Sequence, residues 1–225
     1  LKAKLEEMGF RKNIAYIPNF VRIEEFTPSF EALENTILYV GRLSEEKGIM
    51  TLIKAMGGVS SSRLKIAGDG STRQAAEESV KSLRLNNVVF LGFVGKSELV
   101  KEVSRSICTV LPSEWYENNP RSIIESFALR KPVIGARIGG IPELVKDGVT
   151  GSTFESGNVG DLRSKIEYMV ANRDKVVEMG KNARKLVEAE FGADRYYDRL
   201  MKAYESVIKV RKSSKIASAA KAPSQ

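Results

Sequence analysis

Pro112-Ser113-Glu114-Trp115-Tyr116-Glu117-Asn118-Asn119-Pro120-Arg121-Ser122-Ile123-Ile124-Glu125 is the stretch on which the reading of the fold turns. Ahead of it, Ile107-Cys108-Thr109-Val110-Leu111 is an apolar, β-branched run of the length of a strand covered on both faces. Pro112 ends that strand. Asn119 is expected as the N-cap of the following helix, with Pro120 at the first helical position, where a missing N–H costs nothing, and Ser122 to Leu129 as the helix itself. A buried strand thus gives way to a loop and then a helix. The free amides of Arg121 and Ser122 are expected to point out of the carboxyl edge of a sheet.

First-turn amides lack intrahelical acceptors, and the helix dipole adds partial positive charge, so this turn suits a phosphate. Glu117 and Glu125 lie in the loop and about 1.5 turns inside the helix, at roughly 3.6 residues per turn. A carboxylate accepts two hydroxyls at once, so two carboxylates along one cleft suit a polyol such as ribose or a hexose. The competing reading makes both solvated surface charges, the usual fate of glutamate. Their strand-loop-helix setting favours a site.

Working outward, Thr36 to Val40 reads as the first core strand, and Gly41 lets the chain turn before Arg42. Ile49, Leu52, Ile53 and Met56 recur at helical spacing, which puts Lys47 at or just before a helix start. Arg42 and Lys47 are either exposed charges flanking a strand-helix loop or a diphosphate clamp, in which guanidinium grips two oxygens and ammonium adds a point charge. Leu64 to Gly68 is the next strand. Gly68-Asp69-Gly70 only superficially resembles a dinucleotide-binding turn, because position 73, where the third glycine belongs, is Arg. Asn87 to Leu91 is the third strand, followed by the loop Gly92-Phe93-Val94-Gly95 and a helix that Ser97 is expected to cap. Pro132 to Gly135 is a further strand, and Gly139-Gly140 lies in a flexible loop. Beyond Gly151-Ser152-Thr153-Phe154 the chain reads as helical, over Asp161–Ala171, Lys175–Glu190 and Ala193–Lys209. Strands alternating with helices at this spacing predict an α/β fold: a Rossmann-like, doubly wound, mostly parallel sheet with helices on both faces and a helical C-terminal segment. Right-handed crossovers put the loops on one edge, where Arg42, Lys47, Glu117, Arg121 and Glu125 converge.

These motifs, taken in order, resemble a known family. Pro18-Asn19, Val40-Gly41-Arg42-Leu43 with Lys47-Gly48, Ile66-Ala67-Gly68-Asp69-Gly70, Phe90-Leu91-Gly92-Phe93-Val94, Glu117 with Glu125, Lys131-Pro132-Val133-Ile134, Gly139-Gly140-Ile141-Pro142-Glu143 and Asp147-Gly148-Val149-Thr150-Gly151 look like the C-terminal half of a retaining glycosyltransferase of the GT-B fold, family 4. The likeness runs from about Ile17 to about Lys209. It implies a nucleotide-diphosphate sugar as donor, with Glu125 on the ribose hydroxyls, Glu117 on the donor sugar and Arg42 and Lys47 stabilising the departing diphosphate. The same resemblance places Gly41, Phe93, Val94, Asn118, Asn119, Pro120, Arg121 and Ser122 around the donor, with the base at the Phe93-Val94 loop. Neither a cofactor nor a metal ion is expected. Asn118-Asn119 stands where the family usually has Gly-Phe, which leaves the donor open. Trp115 is read either as an apolar face for the sugar or as core, Phe93 as base contact or core, and Arg121 as a contact to phosphate or acceptor or as a solvated charge.

Composition sets the bounds. A chain of 225 residues, 42% hydrophobic and 28% charged, can bury a core, and no apolar run approaches the roughly 20 residues of a membrane span. A cytoplasmic protein is expected, peripheral at most to the inner membrane face. Cys108 cannot staple the fold alone and is read as a small hydrophobe. Of the net charge of +8, Lys209, Arg211, Lys212, Lys215 and Lys221 contribute five, which leaves 31 basic against 28 acidic residues in the body. Nucleic-acid binding is not expected, whereas weak attraction of this basic end to an acidic membrane face is. The absence of histidine removes the commonest general base and metal ligand. The expected organisation is residues 1–9 as the end of a preceding domain or linker, 10–210 as the nucleotide-sugar-binding domain and 211–225 as a basic, flexible tail. The acceptor would then be bound by an N-terminal domain outside this chain. A nucleotide-sugar epimerase or glycan phosphorylase of the same architecture, a non-catalytic nucleotide-sugar sensor and a structural adaptor are the rival readings.

Overall fold

In the computed structural model, which describes residues 2–11, 14–28 and 34–219, a six-stranded, wholly parallel sheet runs in the order β3-β2-β1-β4-β5-β6. The strands are β1 Thr36–Val40, β2 Arg63–Ala67, β3 Val88–Gly92, β4 Cys108–Leu111, β5 Val133–Ala136 and β6 Gly151–Phe154. The helices are α1 Lys2–Glu7, α2 Ile49–Met56, α3 Arg73–Ser82, α4 Lys96–Arg105, α5 Arg121–Ala128, α6 Ile141–Leu144, α7 Val159–Ala171, α8 Arg173–Glu190 and α9 Ala193–Ala219. The expected doubly wound α/β architecture is what the chain adopts.

The central strands are buried through their apolar residues: Ile37, Leu38, Tyr39, Leu64, Ile66, Cys108 and Ile134 are all closed to solvent. Tyr39 pairs with Ile66 on one side and Val110 on the other. Helix α2 packs on α3 and α7, and α5 on α8. Cys108 is buried, and burial pushes its thiol pKa up to about 12, in keeping with a packing role.

The structure differs from the sequence reading at four places. Strand β6 is absent from that reading because its middle residues are Ser152 and Thr153. All four of its residues are buried nonetheless, and Asp147 accepts from the Thr153 amide at 2.5 Å and hydroxyl at 2.8 Å. Asn119 does not cap α5; Pro120 occupies the cap position and Arg121 begins the helix, because the Asn119 carboxamide is held elsewhere, as described below. Ser97 lies inside α4, whose cap is Gly95, with no side-chain bond. Helix α9 runs on to Ala219 rather than ending at Lys209, since residues 210–219 contain no glycine or proline to stop it. The remainder of the expected tail, residues 220–225, lies outside the described residues.

Candidate active site

The strand order reverses between β1 and β4, so the loops that follow these two strands part there and leave a crevice at the carboxyl edge. The root of the β1 loop is anchored by Tyr39, whose buried ring lets its hydroxyl donate to the Arg42 carbonyl at 2.7 Å. A 3₁₀ turn over Glu45–Lys47 then leads through Gly48, at φ +66°, into α2. Gly48 is required here: a Cβ would stand 1.9 Å from the Pro112 carbonyl oxygen, in a left-handed conformation that side chains disfavour. The two loops therefore touch backbone to backbone. The Glu114 amide donates to the Glu46 carbonyl at 2.9 Å, and the Ser113 hydroxyl to the same carbonyl at 3.2 Å. On its other flank the β4 loop meets the loop after β5, where the Gly140 amide donates to the Glu117 carbonyl at 2.6 Å and a Gly140 Cβ would fall 1.9 Å from the Asn118 carbonyl oxygen.

That double seam places Glu117. Its Oε1 accepts from Lys47 Nζ, although the two residues are 70 positions apart, and also from the Ser113 hydroxyl at 3.2 Å. Both side chains of the ion pair are mostly withdrawn from water, at 23% and 16% exposure. Two of the expected site residues thus meet at the crevice. Arg42 does not join them: its guanidinium lies at 2.9 Å from Glu46 and is largely exposed.

Glu125 faces different surroundings. It lines a cavity of about 450 Å³, together with Arg121 and Ser122 of α5, the apolar Leu99, Val100 and Val103 of α4, and the Asn19–Phe26 segment. Arg121 reaches it at 3.2 Å from one turn earlier on the helix. Burial nevertheless raises the Glu125 pKa, with Arg121 pulling the other way. Among the described residues the Arg121 and Ser122 amides have no acceptor, as the first turn of a helix dictates.

The other expected site residues scatter. Asn119 is buried and committed: its Oδ1 accepts from the Asn19 amide at 2.8 Å, its carbonyl from the Asn19 side chain at 2.5 Å, and its Nδ2 lies 3.4 Å from the Tyr16 hydroxyl. With Asn118 it lines a separate cavity of about 140 Å³. Gly41 and Val94 are half-buried and Pro120 sits at the foot of α5, but none of the three borders the Glu125 cavity, nor does Phe93. Phe93 is 89% exposed and Trp115 65%, so neither is core, which corrects that half of each reading; both stand in loops beyond the carboxyl ends of β3 and β4. Sequence reasoning missed Glu25 and Lys96, both on the cavity wall. The available signal was position: Lys96 follows β3 at the carboxyl edge as Lys47 follows β1.

Among the described residues no three His, Cys, Asp or Glu side chains gather as a metal site would, and no helix is long and apolar enough to cross a membrane.

The family model described as glycosyl transferases group 1 matches residues 22–186. An uncharacterised glycosyltransferase of Methanocaldococcus jannaschii is 29% identical over 170 residues, which is 76% of this chain and 48% of that protein. The alpha-D-kanosaminyltransferase of Streptomyces kanamyceticus is 27% identical over 176 residues, 76% of this chain and 45% of that one. The chain spans about half the length of the curated relatives it matches. Among solved structures, sucrose-phosphate synthase from Thermosynechococcus elongatus superposes with a TM-score of 0.84 at 26% identity, over 93% of this chain and 56% of that one. Anabaena HepE, solved in complex with UDP and glucose, superposes with a TM-score of 0.81 at 22% identity, over 91% and 60%.

Proposed function

The chain belongs to the group 1 glycosyl transferases, and from that membership we propose that it is the donor-binding, C-terminal half of a family 4 enzyme that transfers a sugar from a nucleotide diphosphate with retention at the anomeric carbon. The observation that carries this reading is the Lys47–Glu117 contact across the crevice between β1 and β4, with Glu125 opening to a cavity from the same β4–α5 connection. Glycosyl transfer breaks the bond between the anomeric carbon and the diphosphate oxygen, and negative charge accumulates on the leaving group. Lys47 and the first-turn amides of Arg121 and Ser122 would meet that charge, joined by Arg42 once it leaves Glu46, the kind of electrostatic stabilisation that usually dominates such chemistry. In this reading no metal ion is needed. Glu117 would hold hydroxyls of the donor sugar and Glu125 those of the ribose. The UDP and glucose named for HepE agree with such a donor class.

The acceptor would be held by a domain outside this chain, with residues 10–210 as the donor-binding unit and the basic C-terminal residues as a weak contact to an acidic membrane face. The protein would work in the cytoplasm. Calorimetric titration in EDTA with UDP, GDP, ADP and their sugar conjugates tests the reading. Binding of a nucleotide, weakened about tenfold or more by Glu125→Ala and by Lys47→Met, is expected, since a hydrogen bond to a charged group carries that much. Binding of none of them, or binding that Glu125→Ala leaves untouched, would overturn it. The isolated chain is expected to transfer sugar poorly.

A further inference from the structure

Besides the looser Arg22–Glu25 contact, two carboxylate–cation pairs border the same cavity. Arg121–Glu125 is one. The other joins Glu25, in the 3₁₀ turn Ile23–Glu25, to Lys96 at the start of α4. Lys96 is close enough to Glu125 to pull on its carboxyl as well, and its ammonium stands 5.7 Å from the centre of the Phe26 ring. Val40, Leu99, Val100, Val103, Phe26 and Leu129 give the wall an apolar part, beside the polar Asn19, Ser122 and Ser126. The space of about 450 Å³ exceeds what one pentose fills and lies within the range of ligand pockets, roughly 300–1,000 Å³. A cavity with aliphatic and aromatic side chains on its wall and a carboxylate and an ammonium at its rim suits a heteroaromatic ring whose edge carries both donors and acceptors.

We propose that Glu25 and Lys96 read the nucleobase of the donor, and that the base they select is guanine. This inference rests on the donor-site reading above, in which Glu125 holds the ribose. The pairing edge of guanine places two N–H donors, at N1 and N2, side by side, with the O6 acceptor next to them. A carboxylate accepts the two N–H groups in parallel with its two oxygens, the fork geometry that makes bidentate pairs both strong and selective. An ammonium beside it donates to O6. Uracil has one N–H between two carbonyls, so the second Glu25 oxygen would face a carbonyl. Adenine sets an amine beside the unprotonated N1, and the second oxygen would face a lone pair.

Arg22 pairs with Glu25 Oε1 at 3.6 Å, an exposed ion pair of the kind that contributes little, so a base can displace it from that oxygen. Lys96 bonds Oε2 and has three donors, so it can keep Glu25 and still reach O6. The lysine also holds the Glu25 carboxyl below the usual carboxylate range, and a carboxyl ionised at neutral pH only accepts. The loop expected to hold the base contributes neither Phe93 nor Val94 to this cavity.

The test is calorimetric titration of the chain with GDP, UDP and ADP, for wild type, Glu25→Gln, Lys96→Met and Glu125→Ala, each checked for folding by circular dichroism. Wild type should bind GDP about tenfold or more tighter than UDP or ADP, and Glu25→Gln should erase that preference while leaving UDP and ADP within about twofold, as one lost bidentate contact implies. Lys96→Met should weaken GDP more than the other two. A wild type that prefers UDP or ADP, or a Glu25→Gln that weakens all three equally, overturns the assignment to guanine while leaving the donor site standing. Nucleotide binding that Glu125→Ala leaves untouched, or no binding at all, removes the donor-site reading and this inference with it.

Discussion

Glu117 and Glu125 stand eight residues apart, one in the loop after β4 and the other in the helix that loop feeds, and the fold surrounds them differently. Glu117 is fixed by a lysine from a distant loop, by Ser113, and by backbone seams on both flanks. Glu125 faces a cavity, with an exposed arginine of its own helix for a partner. The first is held by tertiary structure and the second by its local helix. Position in the crevice is thus built into the fold at Glu117, whereas Glu125 remains available for a ligand to complete.

The largest effect should come from breaking the seam. In Gly140→Ala the new methyl would stand 1.9 Å from the Asn118 carbonyl oxygen, and backbone must move because neither partner is a flexible side chain. A loss of about 3 kcal/mol is expected, or a melting temperature lower by roughly 6 °C or more for a chain of this size. Gly95→Ala is the control on the Glu125 side. Its φ of −67° suits any residue and no atom lies within 4 Å of the added carbon, so stability should stay within about 0.5 kcal/mol. Equal losses at the two glycines, in a thermal melt, would mean that the seam does not distinguish the two sides.

Next in size is the ion pair. Lys47→Met strips Glu117 of its cation while leaving the carboxylate largely out of water, a change that costs about 3–5 kcal/mol for a fully buried pair. At 23% and 16% exposure the loss should be smaller, about 1–3 kcal/mol after discounting for residual solvent. The double variant with Glu117→Gln should recover part of it, because the charge left behind is gone. Urea denaturation of the four proteins gives the coupling. A cycle that closes to zero would make the Glu117 pair no stronger than a surface one.

How much of this could be read from the chain depended on whether neighbours in sequence or neighbours in space decide it. Five of the six strands declare themselves as short β-branched or apolar runs, and β1 and β4 follow directly from Thr36–Val40 and Ile107–Leu111. Strand β6 does not, since its middle residues are Ser152 and Thr153, and it takes Asp147, six residues before Thr153, to accept from the amide and hydroxyl of that buried threonine. The meeting of Lys47 with Glu117 was legible from topology, because both follow strands that flank the reversal in strand order. The fate of Asn119 was not. An Asn before Pro reads as a cap, yet its carboxamide is claimed by Asn19, 100 residues away, and no local pattern carries that information. Lys96 could have been found from its place after β3, but its pairing with Glu25 escaped notice for the same reason, the two being 71 positions apart and joined only in the folded chain.

The smallest expected effect concerns Glu125 itself and sets the sign of the comparison. Burial raises its pKa in the folded protein, with Arg121 offsetting part of the shift. Between the ordinary carboxylate value of about 4.3 and the raised folded value, the folded state binds more protons than the unfolded one, so stability falls as pH rises through that window. At neutral pH the charged Glu125 is therefore a net burden on the empty protein. Glu125→Gln should be more stable than wild type at pH 7, and the difference should shrink as the pH falls below the ordinary carboxylate value, where wild-type Glu125 is protonated in both states. Arg121→Ala should make the burden heavier, but only slightly, since an exposed pair one helical turn apart is worth about 0.3–0.5 kcal/mol. Urea midpoints for wild type, Glu125→Gln and Arg121→Ala at both ends of that window decide it. If Glu125→Gln proves the less stable at pH 7, the Glu125 carboxylate is held as firmly as that of Glu117, and the contrast between an anchored and an available carboxylate fails.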